Sequence, residues 1–177
     1  MSPYLFEGRI MLRTAIRQFL LWLVLVTCLK PITTSAQEIG IFGDQAGNWC
    51  MITAELGGAP VMAFILALDV QSGITGAEFS IAGLPTNLYI AIPQANPASN
   101  IALGDPFTTG ANIAFPNCQT DAIVLLYSVI LINTGDDAGD RTLVVQSRMP
   151  PTNPNFDCPL ITKCDGPTFT SVCVFGR

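Results

Sequence analysis

The sequence predicts an all-β fold: a single antiparallel β-sandwich that follows an N-terminal signal peptide. Three observations predict it. Short apolar runs recur along the chain, each closed by Gly, Pro, Asn or Asp. Charged residues make up 12% of the chain and apolar ones 50%, a balance that suits strands joined by turns better than surface helices. No stretch after residue 36 carries a convincing 3.6-residue apolar period.

Residues 1–36 read as the export signal. Arg9, Arg13 and Arg17 supply the positive region, Phe19 to Leu29 the apolar one, and TTSA the small residues before a cleavage expected after Ala36. The apolar run is about half the ~20 residues that a spanning helix needs. Cys28, in LVTC, resembles a lipoprotein acylation site except for Thr27, so acylation stays a minor option. Residues 37–177 are then one domain.

Strands are expected near 39–42, 49–55, 60–68, 76–82, 88–92, 100–104, 111–115, 122–132, 141–147, 160–163 and 168–175. The organising one lies in GITGAEFSIAGLP, residues 73–85. Its two-residue period puts Phe79 and Ile81 on one face and Glu78 and Ser80 on the other, as in a half-buried strand. The runs PVMAFILAL (60–68) and AIVLLYSVILI (122–132) are too short to span a membrane as helices. They lack the alternation of a membrane barrel and read as central strands buried on both faces.

Charge excludes several functions. After residue 36, 12 acidic and 4 basic residues leave a formal net charge of −8. Such a surface repels nucleic-acid backbones and anionic membranes. The chain has no His, which removes the commonest general base and metal ligand. The phosphate-cradling and nucleophile-elbow motifs are absent too.

SGITGAEFSIAGLP, IALGDPF, NIAFPNCQ, VLLYSV and NPNFDCPLITKCDGPTFTSVCVFG resemble a group of uncharacterised secreted bacterial proteins, over about residues 40–176. The resemblance carries no activity. It implies relatives with more cysteines and a longer C-terminal end. The early Gly-hydrophobic-x-Gly-x-x-Phe strand also resembles cohesin modules and related carbohydrate-binding sandwiches, which implies a cohesin-like or immunoglobulin-like layout and identifies no ligand.

Five cysteines follow the signal: Cys50, Cys118, Cys158, Cys164 and Cys173. In an exported chain they point to disulfides, with at most two bridges and one thiol left over. Many pairings fit, and a Cys158–Cys164 staple is slightly preferred. Zinc is disfavoured without CxxC spacing or His. Asn133, Asp136, Asp137 and Asp140 are a candidate Ca²⁺ set, although their order departs from the EF-hand loop. A plain hairpin turn explains the same residues. Trp49 and Tyr89, with Phe107 and Phe156 beside them, are candidate sugar-stacking platforms. Trp49 next to Cys50 also reads as a ring packed on a core disulfide.

The expected function is a non-catalytic exported binding or structural module, secreted or held in the periplasm or at the cell surface. Its expected partner is an extracellular protein or polysaccharide. The alternatives are polysaccharide recognition, a small hydrolase using carboxylates among Asp44, Glu55, Asp69, Glu78, Asp105, Asp121 and 136–140, and a sheet edge that accepts a partner's strand.

Overall fold

Apolar residues at alternate positions bring two sheets face to face. The computed structural model describes residues 37–177 apart from 71, 86, 88, 136–139, 166–169 and 177, so the export signal and Cys28 lie outside the described residues. In sheet A the order is β11 (Phe175–Gly176), β1 (Glu38–Phe42), β2 (Val61–Leu68), β7 (Ile123–Asn133) and β4 (Tyr89–Ala95). In sheet B it is β10 (Thr170–Cys173), β9 (Leu160–Lys163), β3 (Ile74–Ala82), β6 (Gly110–Gln119) and β5 (Ile101–Asp105), with β8 (Val144–Gln146) also paired to β3. All pairs are antiparallel except β1 with β11.

The core fills the space between the sheets. Ile39, Ala63, Ile65, Val129 and Leu131 from sheet A meet Ile74, Phe79, Ile81, Ile113 and Ile161 from sheet B. On β7 the alternation breaks once, where Leu126 and Tyr127 are both buried. The β2 register skips there, Ile65 facing Tyr127 and Leu66 facing Leu125, so a bulge turns two successive side chains inward. β4 continues through Pro93 because among the described residues it pairs on one side only, and an edge strand tolerates a missing N–H.

Residues 49–55 form no strand. They belong to a long connection pinned at its start by Gly43 N–H donating to Trp49 O at 2.7 Å and by the Asp44 carboxylate, which accepts from the N–H groups of Asn48 and Trp49. The strand expected at 141–147 shortens to β8. The one at 168–175 divides between β10 and β11, in different sheets.

Burial differs in two places. β3 is buried on both faces, with Glu78 7% and Ser80 2% exposed, because the segment after β8 crosses its outer face. Ser80 Oγ donates to Ser147 O at 2.7 Å, and Thr152 N–H donates to Glu78 Oε1 at 2.8 Å. Conversely, β2 and β7 are not covered throughout. Phe42, Leu66 and Leu68 form a second buried cluster, partly under the turn at Gly47, whereas Met62 is 43% exposed.

Tyr127 sits edge-on to Phe79, ring centroids 6.0 Å apart. Its buried hydroxyl has no hydrogen-bond partner among the described residues. Burial, and secondarily the Asp105 charge, push its pKa above the ordinary tyrosine value. The folded chain therefore keeps this proton where the unfolded chain releases it near pH 10. This contribution to stability is whole below about pH 10 and is lost as the pH rises through the folded value. Tyr127→Phe is expected to leave neutral-pH stability equal or higher by about 1 kcal/mol. It should also flatten the alkaline loss, as read from urea midpoints between pH 8 and 11.

Candidate functional site

Three neighbouring strands of sheet A place apolar side chains in one outward row. Met62 on β2 faces Ile130 on β7, and Ile130 faces Ile92 on β4. One step along, Ile132 faces Ile90, and on the other side Phe64 faces Ser128, which faces Gln94. Their neighbours Ala63, Val129 and Leu131 turn into the core. Met62 (43%), Ile90 (48%) and Ile92 (43%) are exposed, and Phe64, Ile130 and Ile132 are half-buried. These rows contain no charged residue, on a domain rich in acids. A contiguous apolar face of this kind marks an interaction surface more often than scattered exposed residues do.

The long connection between β1 and β2 first turns over Leu66 and Leu68 at Gly47 and then runs along the end of this sheet where β7 finishes. Asn133, at the end of β7, ties it down: its Nδ2 donates to Ala54 O at 3.0 Å, and its backbone carbonyl accepts from Gly57 N–H at 3.2 Å. The connection carries Trp49 and Met51, 69% and 82% exposed. Tyr89 is half-buried at the same end, at the start of β4. Strands β2 and β7 separate β1 from β4, so three strand spacings, about 14 Å, lie between them. Trp49 packs on no disulfide, because Cys50 beside it is an exposed free thiol.

The bridges are Cys118–Cys164 and Cys158–Cys173, not Cys158–Cys164. Cys164 follows β9 and Cys118 lies late in β6, on either side of β3, so their bridge passes over Gly73. A Cβ at Gly73 would run into Cys118 Sγ, and its φ of 69° also favours glycine. Cys158 stands just before β9 and Cys173 ends the strand paired with it. Spacing alone favoured a short staple, but strand pairing sets which thiols meet.

For the Ca²⁺ set, Asp136 and Asp137 lie outside the described residues and Asp140 is exposed. The Asn133 side chain is engaged locally, since its Oδ1 also accepts from Gly135 N–H at 3.2 Å.

Sheet B carries a groove that sequence reasoning missed. Its volume is about 300 Å³, and it lies between the strand surface and the crossing segment that holds Thr152, Asn153 and Phe156. Glu78 is buried in its lining. Oε1 accepts from Thr152 N–H and Oε2 accepts from Asn112 Nδ2 at 3.1 Å. Glu78 is the only carboxylate among the described lining residues, so these supply no carboxylate pair for glycoside hydrolysis. Glu78→Ala strands two donors and is expected to cost about 2 kcal/mol. Faster hydrogen exchange at the Thr152 amide would show the crossing segment loosening. Glu78 was legible only as an acid on a strand. Asn112 and Thr152 gave no signal, and Phe156 stood out only as an aromatic in a loop.

No helix among the described residues is long and apolar enough to cross a membrane. No protein-family model and no curated protein matches the chain. Among solved structures it is similar to the seventh ScaB type I cohesin from Pseudobacteroides cellulosolvens. The identity is 12% and the TM-score 0.50, over 79% of this chain and 86% of that one. At this identity the likeness bears on architecture, and the fold of this chain is a cohesin-like β-sandwich.

Proposed function

We propose that the β-sandwich is an exported, non-catalytic protein-binding module whose partner docks on the outer face of sheet A. The observation that carries this reading is the uncharged row Met62–Ile130–Ile92 with Ile132–Ile90 beside it. Covering such a row removes apolar side chains from water and leaves no buried charge unpaired. Two disulfides support an oxidising compartment beyond the cytoplasm. The likeness to a cohesin supports a binding role over a catalytic one. Ca²⁺ enters the proposal through the set Asn133, Asp136, Asp137 and Asp140.

The test is capture from the host's envelope and secreted fractions, with and without Ca²⁺, by the parent protein and by Met62→Lys/Ile92→Lys. The double variant is expected to lose captured protein by roughly a hundredfold, as for two central apolar contacts. Capture that survives both lysines unchanged ends the reading. A second reading, strand addition at β5, rests on that strand's open edge and on Ile101 and Leu103, 47% and 60% exposed. Under it, Leu103→Pro would abolish capture and the lysines would not.

A further inference from the structure

We infer that the groove on sheet B is a binding site for a neutral oligosaccharide. The inference stands apart from the reading of sheet A, since it uses the opposite face and other residues.

The floor sets the ligand's chemistry. Across sheet B, Ala114 faces Gly76, Gly76 faces Thr162, and Thr162 faces Ser171. Small residues make the first half of this row. Gly76 is held to glycine by the backbone, since a Cβ there would lie 2.8 Å from Ile113 O. The second half presents two hydroxyls, Thr162 Oγ1 and Ser171 Oγ, 3.3 Å apart. Next along β6 stands the Asn112 amide, and behind it the buried Glu78 carboxylate. Phe156 closes the groove from the crossing segment, half-buried.

β3, β6 and β9 are each paired on both sides, so over most of this floor an incoming peptide would find little main chain to pair with; among the described residues the only floor strand with an open edge is β10, at the margin of the groove. What remains is a ring of hydroxyls and amides, one buried carboxylate and one aromatic side chain. Close-set hydroxyls and amides hydrogen-bond a polyol, and a phenyl face packs on the C–H face of a pyranose. Glu78 is the only charged residue among the described lining residues, and the nearby Arg148 guanidinium is turned to Thr152 Oγ1 at 3.4 Å, so the lining itself offers phosphorylated, sulfated and uronic ligands no cation. Its carboxylate keeps acceptor capacity beyond its two N–H donors, enough to take a sugar O–H. The volume of about 300 Å³ is at the lower bound for small-molecule sites, which suits a short stretch of a chain in an open groove.

The experiment is a titration of ¹⁵N-labelled residues 37–177, which lie in one compact unit and hold every described strand. The probes are cellotetraose, xylotetraose, mannotetraose and, as the charged control, tetragalacturonate. The inference predicts that at least one neutral tetraose shifts the amide signals of Asn112, Thr152, Thr162 and Ser171. Asn112→Ala and Phe156→Ala should each weaken that binding roughly tenfold. Met62→Lys/Ile92→Lys should leave it unchanged. Ser171→Ala, a change on an exposed edge strand, supplies a variant whose folding is not in question and should weaken binding as well. Three results would overturn the inference: no shift with any neutral tetraose up to about 20 mM, tighter binding of tetragalacturonate, or neutral binding unaltered in all three groove variants.

Discussion

Reducing the two disulfides is expected to remove most of the stability of this domain. The Cys118–Cys164 bridge closes a sequence separation of 46 and Cys158–Cys173 one of 15. On the chain-entropy account these loops correspond to about 4 and about 3 kcal/mol, taken as upper values. Their sum rivals the ~5–15 kcal/mol that holds a typical domain together. The two bridges also act where hydrogen bonding is sparse: among the described residues β10 pairs only with β9, and the long crossing segment returns to the sheet at Cys158. Cys118→Ala/Cys164→Ala is expected to lower stability by about 2–4 kcal/mol, and the full reduction by roughly twice that. Urea unfolding with and without a phosphine reductant measures both. A midpoint that reductant does not move would mean that packing alone maintains the sandwich.

Phe79→Ala should give the second large effect, a loss of about 3–5 kcal/mol. Phe79 is fully buried in the middle of β3, faces sheet A and meets the Tyr127 ring at 79°. β3 pairs with β6 on one side and with β9 and β8 on the other, so little around it can collapse into the vacated space. Phe79→Leu keeps most of the volume and should cost less than half as much. Equal costs for the two variants would place Phe79 outside the packed centre.

The strand content was legible because it rests on local chemistry. Alternation marked the strand around Phe79, and glycines and prolines marked its ends. What the sequence concealed was what lies over each outer face. Glu78 and Ser80 were read as solvent-facing because their strand alternates, but the segment from Ser147 to Thr152 folds back across them from far along the chain. The runs at 60–68 and 122–132 were read as covered on both faces because they are apolar throughout. Part of that outer face, from Met62 to Ile92, stays open. The two errors are of opposite sign and have one cause: periodicity reports a strand's own faces and carries no information about the cover. Both candidate sites lie where that cover decides. Cysteine pairing was hidden for a similar reason, since Cys118 and Cys164 meet only because β3 lies between their strands.

Trp49 and Tyr89 illustrate the same limit among aromatics. Trp49 was conspicuous as the one Trp after the signal, and the structure leaves it exposed on the connection beside sheet A. Phe156, one of ten Phe residues, stands over a groove. Rarity in composition marked the first, and only tertiary placement marks the second.

Carbene footprinting of the protein alone and bound to the partner that it captures reads the sheet A interface directly. Labelling is expected to fall in peptides 61–68, 89–95 and 123–133, which carry Met62, Ile90, Ile92 and Ile130, and to stay the same in 101–105. Protection confined to 101–105, with the sheet A peptides as accessible as in the free protein, would contradict that interface.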